Sequence, residues 1–247
     1  MKRTMKTNRL FLSMLAVGLL LTSCVNVNFE KVAASDTRVE KEYKMDAFTK
    51  LHVSTVAHVK YVQSTEGDYR VVMSCPDNYV DLFEFKVDGD MLNVKFTKTA
   101  TNIESGKVDI LVYSPTMSEI TNAGVCTVVV DSLKGSTLKV ENAGVGALKL
   151  KGLDVERMAV RCSGAGGIDL DGTAPVLSLE CSGVGSINAA NLKARRVKGS
   201  VSGVGGIECY ASDSLKASVS GVGSLKYAGN PQVKNLHRTG VGQIAEM

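Results

Sequence analysis

The chain has 247 residues, of which 24 are glycine and none is tryptophan, and its 29 basic and 25 acidic side chains give a net charge of +4. Four basic residues and no acidic residue precede residue 24, so the rest of the chain carries 25 charges of each sign. This balance provides no basic field to favour a nucleic acid as partner. The shortage of aromatic residues argues against an ordinary globular core and favours a narrow interior of small stacked side chains.

The first 23 residues have the features of a secretory signal peptide. After the basic residues, positions 10–21 are mostly apolar, too short for a membrane-spanning helix but typical of a signal peptide. Leu21-Thr22-Ser23-Cys24 then resembles the lipobox of bacterial lipoproteins, in which the cysteine sulfur takes the lipid. We therefore predict cleavage before Cys24 and its acylation, which would make a stable membrane anchor. The alternative is an ordinary secretory signal followed by an incidental cysteine.

Residues 24–45 are predicted to be the lipidated N-terminus and a flexible tether, because their many charged residues follow no sustained period. Residues 46–247 are predicted to form one domain. We expect an exported protein that is anchored in the cell envelope, at the outer membrane. Whether the domain faces the periplasm or the cell surface is left open by the sequence.

The first part of the domain is less regular than the rest. Alternating apolar residues between 48 and 63 predict an opening strand pair, and positions 69–73 and 108–113 predict two further strands. Residues 83–87 and 92–96, separated by Asp88-Gly89-Asp90, predict a hairpin. Such hairpins would close one open end of a stack of repeats.

From residue 144 onward, a Gly-Val-Gly or Gly-Ala-Gly tripeptide starts again every 18 to 20 residues. Its glycines are Gly144, Gly146, Gly164, Gly166, Gly183, Gly185, Gly203, Gly205, Gly221, Gly223, Gly240 and Gly242. A degenerate copy, Gly124-Val125-Cys126, precedes them. A fixed period of this size predicts a stacked architecture.

Alignment on these glycines gives columns of similar residues. Two residues after the second glycine, every copy has an aliphatic side chain: Val128, Leu148, Ile168, Ile187, Ile207, Leu225 and Ile244. Apolar residues also prevail four and six positions before the first glycine, so both flanks alternate as strands do. Two strands around a glycine corner, with a third side, predict one rung of a three-sided parallel β-helix. The glycines would supply an unusual backbone conformation or a close approach between rungs. A β-sandwich, the alternative, would need more hairpin turns than Asp88-Gly89 and Asp171-Gly172.

The outward positions carry charge. Three residues after the second glycine lie Lys149, Asp169, Asn188, Glu208 and Lys226, which predict a ladder of stacked side chains. Asp169 and Asp171 share one strand face, and Lys149 and Lys151 lie one rung earlier. This cluster is the best case for an enzyme, since some parallel β-helices are polysaccharide lyases or hydrolases. Because lysines match the acids one for one, we favour a salt-bridge ladder, and we expect no metal site and no cofactor.

Two of the cysteines, Cys162 and Cys181, occupy one column and are one rung apart. Stacking at strand spacing would permit a disulfide. The column continues as Val201 and Val219, however, and apolar packing explains it without a bond. We predict free buried thiols.

An array of Ser-Gly-Val-Gly rungs follows these residues of the irregular part: Phe48, Leu51, Val53, Val59, Gln63, Gly89 and Leu92. Together they resemble the head GIN domain of putative auto-transporter adhesins, from about Asp46 to the end. The resemblance implies a single right-handed parallel β-helix on exported, often lipid-anchored proteins of Gram-negative bacteria, and it implies no catalytic pattern. The departures are Cys126 at a glycine position and Arg238-Thr239 in the last rung.

We therefore expect a non-catalytic, lipid-anchored envelope protein that presents a β-solenoid surface to a glycan or protein ligand, for example in adhesion. The alternatives are a carbohydrate-active enzyme on the same scaffold and a structural or assembly factor facing the periplasm. The chain ends in a rung at residues 240–244. Its exposed β edge predicts a homo-oligomer or another covering partner.

Overall fold

The computed structural model of the protein describes residues 31–98 and 102–247. The irregular part contains a 3-10 helix (Asp77–Leu82) and strands β1 (Lys31–Val32), β2 (Arg38–Lys44), β3 (Lys50–Ser54), β4 (Val56–Gln63), β5 (Arg70–Pro76), β6 (Phe83–Asp88), β7 (Met91–Phe96), β8 (Asn102–Ile103) and β9 (Asp109–Ser114). The repeats form β10 (Glu119–Asn122), β11 (Val125–Val130), β12 (Leu133–Asn142), β13 (Val145–Cys162), β14 (Ala165–Thr173), β15 (Val176–Cys181), β16 (Val184–Val201), β17 (Gly206–Val219), β18 (Ser224–Ala228), β19 (Val233–Arg238) and β20 (Gln243–Glu246). In the described residues, no helix has the length and apolar character needed to cross a membrane.

Parallel pairing of the repeat strands builds a β-solenoid of about six turns, which confirms the predicted all-β parallel β-helix. Each turn has three sides. In β13 the first side is residues 145–150, a short second side follows Gly152, and the third side is residues 157–162. Seven Gly-x-Gly or Gly-x-Cys corners separate the third side of one turn from the first side of the next, and so they delimit six turns.

The aliphatic column predicted from the sequence runs through the interior of the first side. Ile187 pairs in register with Ile168 on one side and Ile207 on the other, and it is 1% exposed. The column continues in register to Ile244, which is only partly buried because it lies in the last turn. Burying one such side chain contributes about 2 kcal/mol, so a stack of them stabilises every turn against its neighbours.

The corner glycines are required mainly because successive turns approach each other closely. A Cβ atom added to Gly205 would lie closer than 3.0 Å to the carbonyl oxygen of Gly185, one turn earlier, and the other repeat glycines meet the same obstacle. Only Gly146 and Gly166 also have left-handed backbone angles, with φ of 127° and 149°. Of the two explanations offered by the sequence, close approach is therefore the general one.

The irregular N-terminal part covers one end of the solenoid. The predicted opening strands β3 and β4 do not pair with each other, which corrects the sequence interpretation: β3 pairs with β7 and β10, and β4 with β9 and β11, so they are two sides of the first turn. The predicted hairpin is present as β6 and β7, with Gly89 at φ 63°. Antiparallel β5 covers β9, and β6 covers β7.

Part of the segment predicted to be a flexible tether belongs to the fold. Residues 38–44 form β2, which pairs antiparallel with all of β5. Val39 and Tyr43 face the core and are partly buried, while the charged residues between them face solvent. Further upstream, the Tyr79 hydroxyl donates a hydrogen bond of 2.7 Å to the carbonyl oxygen of Val32. The ordered structure thus begins well before residue 46.

The opposite end of the solenoid is open. Every residue of β19 is exposed, and Val233 and Leu236 expose 63% and 43% of their surface. β20 pairs only with β18, which leaves its other edge without a partner strand among the described residues.

Candidate binding surfaces

The residue predicted to carry the lipid, Cys24, lies outside the described residues. The repeat glycines lie at the corner between the third and first sides, where they allow the turns to stack and touch no candidate ligand group. They are structural residues, and any binding surface must come from the side chains around them.

A row of exposed apolar side chains follows this corner along the whole solenoid. It consists of the residue between the two glycines of each copy: Val125, Val145, Ala165, Val184, Val204, Val222 and Val241. The valines expose between 52% of their surface, at Val125, and 86%, at Val241. Because glycines flank them and small or uncharged residues lie beyond, the corner is a continuous strip without charge. A contiguous exposed apolar strip is a candidate contact surface.

The charged ladder predicted on the first side is present in register, from Lys149 through Asp169 to Lys226. Lys226 Nζ lies 3.3 Å from Glu208 Oε1. Lys149 and Asp169 are register partners but form no ion pair within the described structure. Exposed pairs of this kind contribute little to stability, so the ladder mainly avoids stacking like charges.

The acid pair considered for catalysis does not form a closed site. Asp169 pairs with Asn188, but a bulge follows, and Asp171 then pairs with Asn191. Another irregularity breaks the register beside Lys151, so this lysine has no partner opposite Asp171. Both aspartates are exposed, and no group of three or more His, Cys, Asp or Glu side chains in the described ranges is arranged to hold a metal ion.

A groove of about 480 Å³ lies on the third side. Its floor is formed by small side chains, Ala159 and Ser178, which are register partners. In the same column, Lys139 precedes Ala159 and Lys198 follows Ser178, so a long basic side chain stands at each end of the floor. We call this feature the third-side groove.

A second column borders the third-side groove. Arg157, Val176 and Arg196 stack in register on three successive turns, and all three line the groove. With a spacing of about 4.8 Å between turns, the two arginines are about 10 Å apart and the two lysines about 14 Å apart. Four basic side chains therefore surround a shallow floor of methyl and hydroxyl groups.

These four cations differ in their electrostatic partners. Lys139 Nζ lies 2.8 Å from Glu119 Oε1, and this hydrogen bond raises the pKa of Lys139 above its usual range. No carboxylate of the described chain lies within ion-pair distance of Arg157, Arg196 or Lys198. Asp213 is held by Arg195 at 2.8 Å and also lies within the field of Arg196. The groove therefore carries three cations that form no ion pair, of which Arg196 is partly offset by Asp213.

The cysteines of the described chain are all free and buried. Cys162 and Cys181 are register partners, as predicted, and each thiol points to the carbonyl oxygen of the glycine four residues later. The neighbouring Cys181 thiol and burial together raise the pKa of Cys162. Burial raises the pKa of Cys126 to about 11. None of them is placed as a reactive nucleophile.

The sequence interpretation did not identify the basic residues of the third-side groove. In the glycine alignment Lys198 stands five positions before the first glycine, and Arg157 and Arg196 stand seven positions before it. The charged ladder predicted from the sequence lies on the first side. The groove becomes visible when the register brings the two columns together.

Comparison with known proteins agrees with this architecture. A family model described as putative auto-transporter adhesin, head GIN domain, matches residues 47–231. The crystal structure of a putative adhesin from Bacteroides fragilis is 35% identical, with a TM-score of 0.84, covering 87% of this chain and 100% of that chain. A putative lipid-binding protein and a putative adhesin from Parabacteroides distasonis, 17% and 18% identical, have TM-scores of 0.71 and 0.70 and cover 88% of this chain and 100% of theirs. These two share the fold. No curated protein has detectable similarity to the sequence.

The family match and the match to the B. fragilis protein both include the irregular N-terminal part. They therefore exceed what chance similarity of a glycine-rich repeat would produce. The protein therefore belongs to the family of putative auto-transporter adhesins with a head GIN domain.

Proposed function

We propose that this protein is a non-catalytic binding protein of the cell envelope, anchored by acyl chains on Cys24, and that its solenoid presents a ligand-binding surface in adhesion or a related contact. The observation that carries the proposal is the third-side groove, an open surface built from in-register side chains of successive turns. Extended surfaces of this kind are how stacked-repeat proteins commonly recognise ligands.

The position of the N-terminus supports attachment close to a membrane. Lys31 is seven residues after Cys24, a length that spans at most about 25 Å. Lys31 pairs with Asn102 of β8 and lies 3.8 Å from Glu104. The next residue, Ser105, borders a depression that also includes Val125, the start of the exposed valine row. An anchor at Cys24 would hold this end of the uncharged strip near the bilayer.

The anchor is tested by changing Cys24→Ala in cells grown with a labelled fatty acid. We expect the wild-type protein to carry the label and to sediment with membranes, and the variant to lose both properties. Labelling that persists in the variant would refute acylation at Cys24. Protease treatment of intact cells then determines whether the domain lies on the surface, where an external ligand can reach it.

Binding without turnover is tested on the purified protein with a panel of polysaccharides and host-matrix components. We expect saturable binding and no depolymerisation. Cleavage of a polysaccharide that is lost in Asp169→Asn or Asp171→Asn would instead establish the carbohydrate-active alternative. Failure to bind any member of a broad panel, by a protein shown to be at the cell surface, would count against the adhesive function.

The open C-terminal edge at β19 and β20 supports a contact between copies of the chain. An unpaired strand edge is a template for another strand. We expect sedimentation of the purified protein to reveal a homo-oligomer that dissociates in Glu246→Pro. The amides of Gln243 and Met247 donate to the neighbouring turn, so the intervening amide of Glu246 faces the open edge. A monomer at all accessible concentrations would refute this part of the proposal.

A further inference from the structure

We infer that the third-side groove binds an acidic polysaccharide, with Arg157, Arg196 and Lys198 contacting its carboxylate or sulfate groups. This inference rests on the proposed binding function and specifies the chemical class of the ligand. The net charge of the chain does not predict an acidic ligand, because the charges after residue 23 balance. The preference arises because the register places three cations without ion pairs beside one floor.

The geometry suits a linear polymer better than a compact anion. The floor of Ala159 and Ser178 follows the long axis of the solenoid, and Arg157 lies two turns from Arg196 and Lys198, which are two residues apart on one strand. The backbone of Arg157 is therefore about 10 Å from that of the other two cations. A chain with one negative group on each repeating unit can engage several at once.

The chemistry of the groove also suits a sugar. Arginine presents a planar fork of donors that matches carboxylate and sulfate geometry, and two arginines border the floor. Ser178 adds a hydroxyl that can donate to or accept from ring hydroxyls. The side chains of Ala159 and Val176 offer a small apolar area for the C–H face of a ring. No large side chain fills the floor, so a ring can approach the strands.

The acidic residues near the groove limit but do not cancel this charge. Glu119 and Glu141 flank Lys139, at 2.8 and 3.7 Å, and Glu141 and Glu180 flank Arg161. These five side chains form a network in which Glu119 and Lys139 stand at one end of the groove-floor column and the other three in the column nearest the glycine corner. The carboxylates of the network form ion pairs with its own cations, so these cations are poor candidates for ligand contact. Arg157, Arg196 and Lys198 remain available.

The test compares two triple variants of the full chain that lose the same charge. The groove variant is Arg157→Gln, Arg196→Gln and Lys198→Gln. The control variant replaces three exposed lysines that form no ion pair and lie elsewhere: Lys44→Gln, Lys149→Gln and Lys151→Gln. Both are first checked for wild-type unfolding curves. If the groove variant proves unstable, Arg157→Lys and Arg196→Lys together replace it, since lysine retains the charge but not the planar fork.

Binding is measured against immobilised polygalacturonate, chondroitin sulfate, polyglutamate and dextran at low and at physiological salt. We expect both acidic polysaccharides to bind the wild type and the control variant, and the groove variant to bind at least about tenfold more weakly, with weaker binding at higher salt. A preference between the first two polymers identifies carboxylate or sulfate as the recognised group. The lysine variant should bind with intermediate affinity.

Three results would overturn the inference. Equal loss in the groove and control variants would show that only net charge matters. Polyglutamate binding as tight and as sensitive to the variants would show that the ligand is an acidic peptide. Binding of dextran or a matrix protein that all variants retain, without acidic polysaccharide binding, would refute the groove assignment while leaving the proposed binding function intact.

Discussion

Two adjacent glycines offer a sharp test of why the corner is built from glycine. Gly205 belongs to the repeat tripeptide, and an added Cβ would lie closer than 3.0 Å to the carbonyl oxygen of Gly185. Gly206 is the next residue, but its Cβ would face outward, 3.4 Å from Ser224 Oγ, which is ordinary contact. Neither glycine has a left-handed φ. Gly205→Ala and Gly206→Ala therefore differ only in the approach of the neighbouring turn.

For Gly205→Ala, the turns must separate until the new methyl group clears the carbonyl oxygen. Two backbone hydrogen bonds at this corner join the turns that must separate, 3.1 Å from the Val204 amide to the Gly183 carbonyl and 3.4 Å from the Gly203 amide to the Cys181 carbonyl. Loss of two such bonds, each at about 1 to 3 kcal/mol when a partner remains buried, predicts a destabilisation of about 4 kcal/mol. Gly206→Ala should instead stabilise the fold by about 0.4 to 1 kcal/mol, because alanine lowers the entropy of the unfolded chain.

The assay is guanidinium unfolding followed by far-ultraviolet circular dichroism, since the chain has no tryptophan to report on folding by fluorescence. If the free energy of unfolding depends on guanidinium concentration with the same slope in all three proteins, differences between their midpoints measure differences in stability. If the two substitutions shift the midpoint equally and in the same direction, close approach is not the reason for glycine at this corner.

Three further outcomes follow from buried side chains. Ile187→Asp should destabilise by several kcal/mol because it buries an unpaired charge. Asn188→Lys, exposed between Asp169 and Glu208, should be nearly silent, and equal effects on the unfolding midpoint would show that the inward and outward positions are assigned wrongly. Burial raises the pKa of Cys126 from 9.0 to about 11 and so favours the neutral thiol in the folded state. The free energy of unfolding should therefore stay constant below pH 9 and fall by about 3 kcal/mol as the pH rises to about 11. In Cys126→Ala it should fall less. In denaturant without reductant, all cysteines of the described chain should react with an alkylating reagent, whereas joint protection of Cys162 and Cys181 would demonstrate a disulfide.

The fold could be predicted from the sequence because each turn of a solenoid packs only on its neighbours. The repeat length therefore determines which residues of neighbouring turns pair. The aliphatic column from Val128 to Ile244 can be predicted from this spacing alone. Strand β2 escaped prediction because only Val39 and Tyr43 carry its inward pattern, among many charged residues. β2 and β5 both lie outside the repeats, so the repeat pattern does not predict that they pair.

The candidate site was harder to predict for a different physical reason. Inward positions must remain apolar in every turn, so they repeat visibly, whereas outward positions are free to vary. Arg157, Arg196 and Lys198 therefore follow no repeat. They become a site only when the register places them around Ala159 and Ser178, in two columns that extend over three turns.

The register irregularities on the second side have a consequence for how proteins of this shape change in size. The turn that begins at Gly183 is two residues longer than the next, and the surplus is absorbed between Ala189 and Arg196, while the glycine corners and the first and third sides stay aligned. Small insertions can thus be tolerated at that one site. Because the hydrogen bonds of a turn reach only its two neighbours, a whole turn can also be duplicated or deleted without rebuilding either end. The length of the molecule is therefore adjustable in steps of about 4.8 Å.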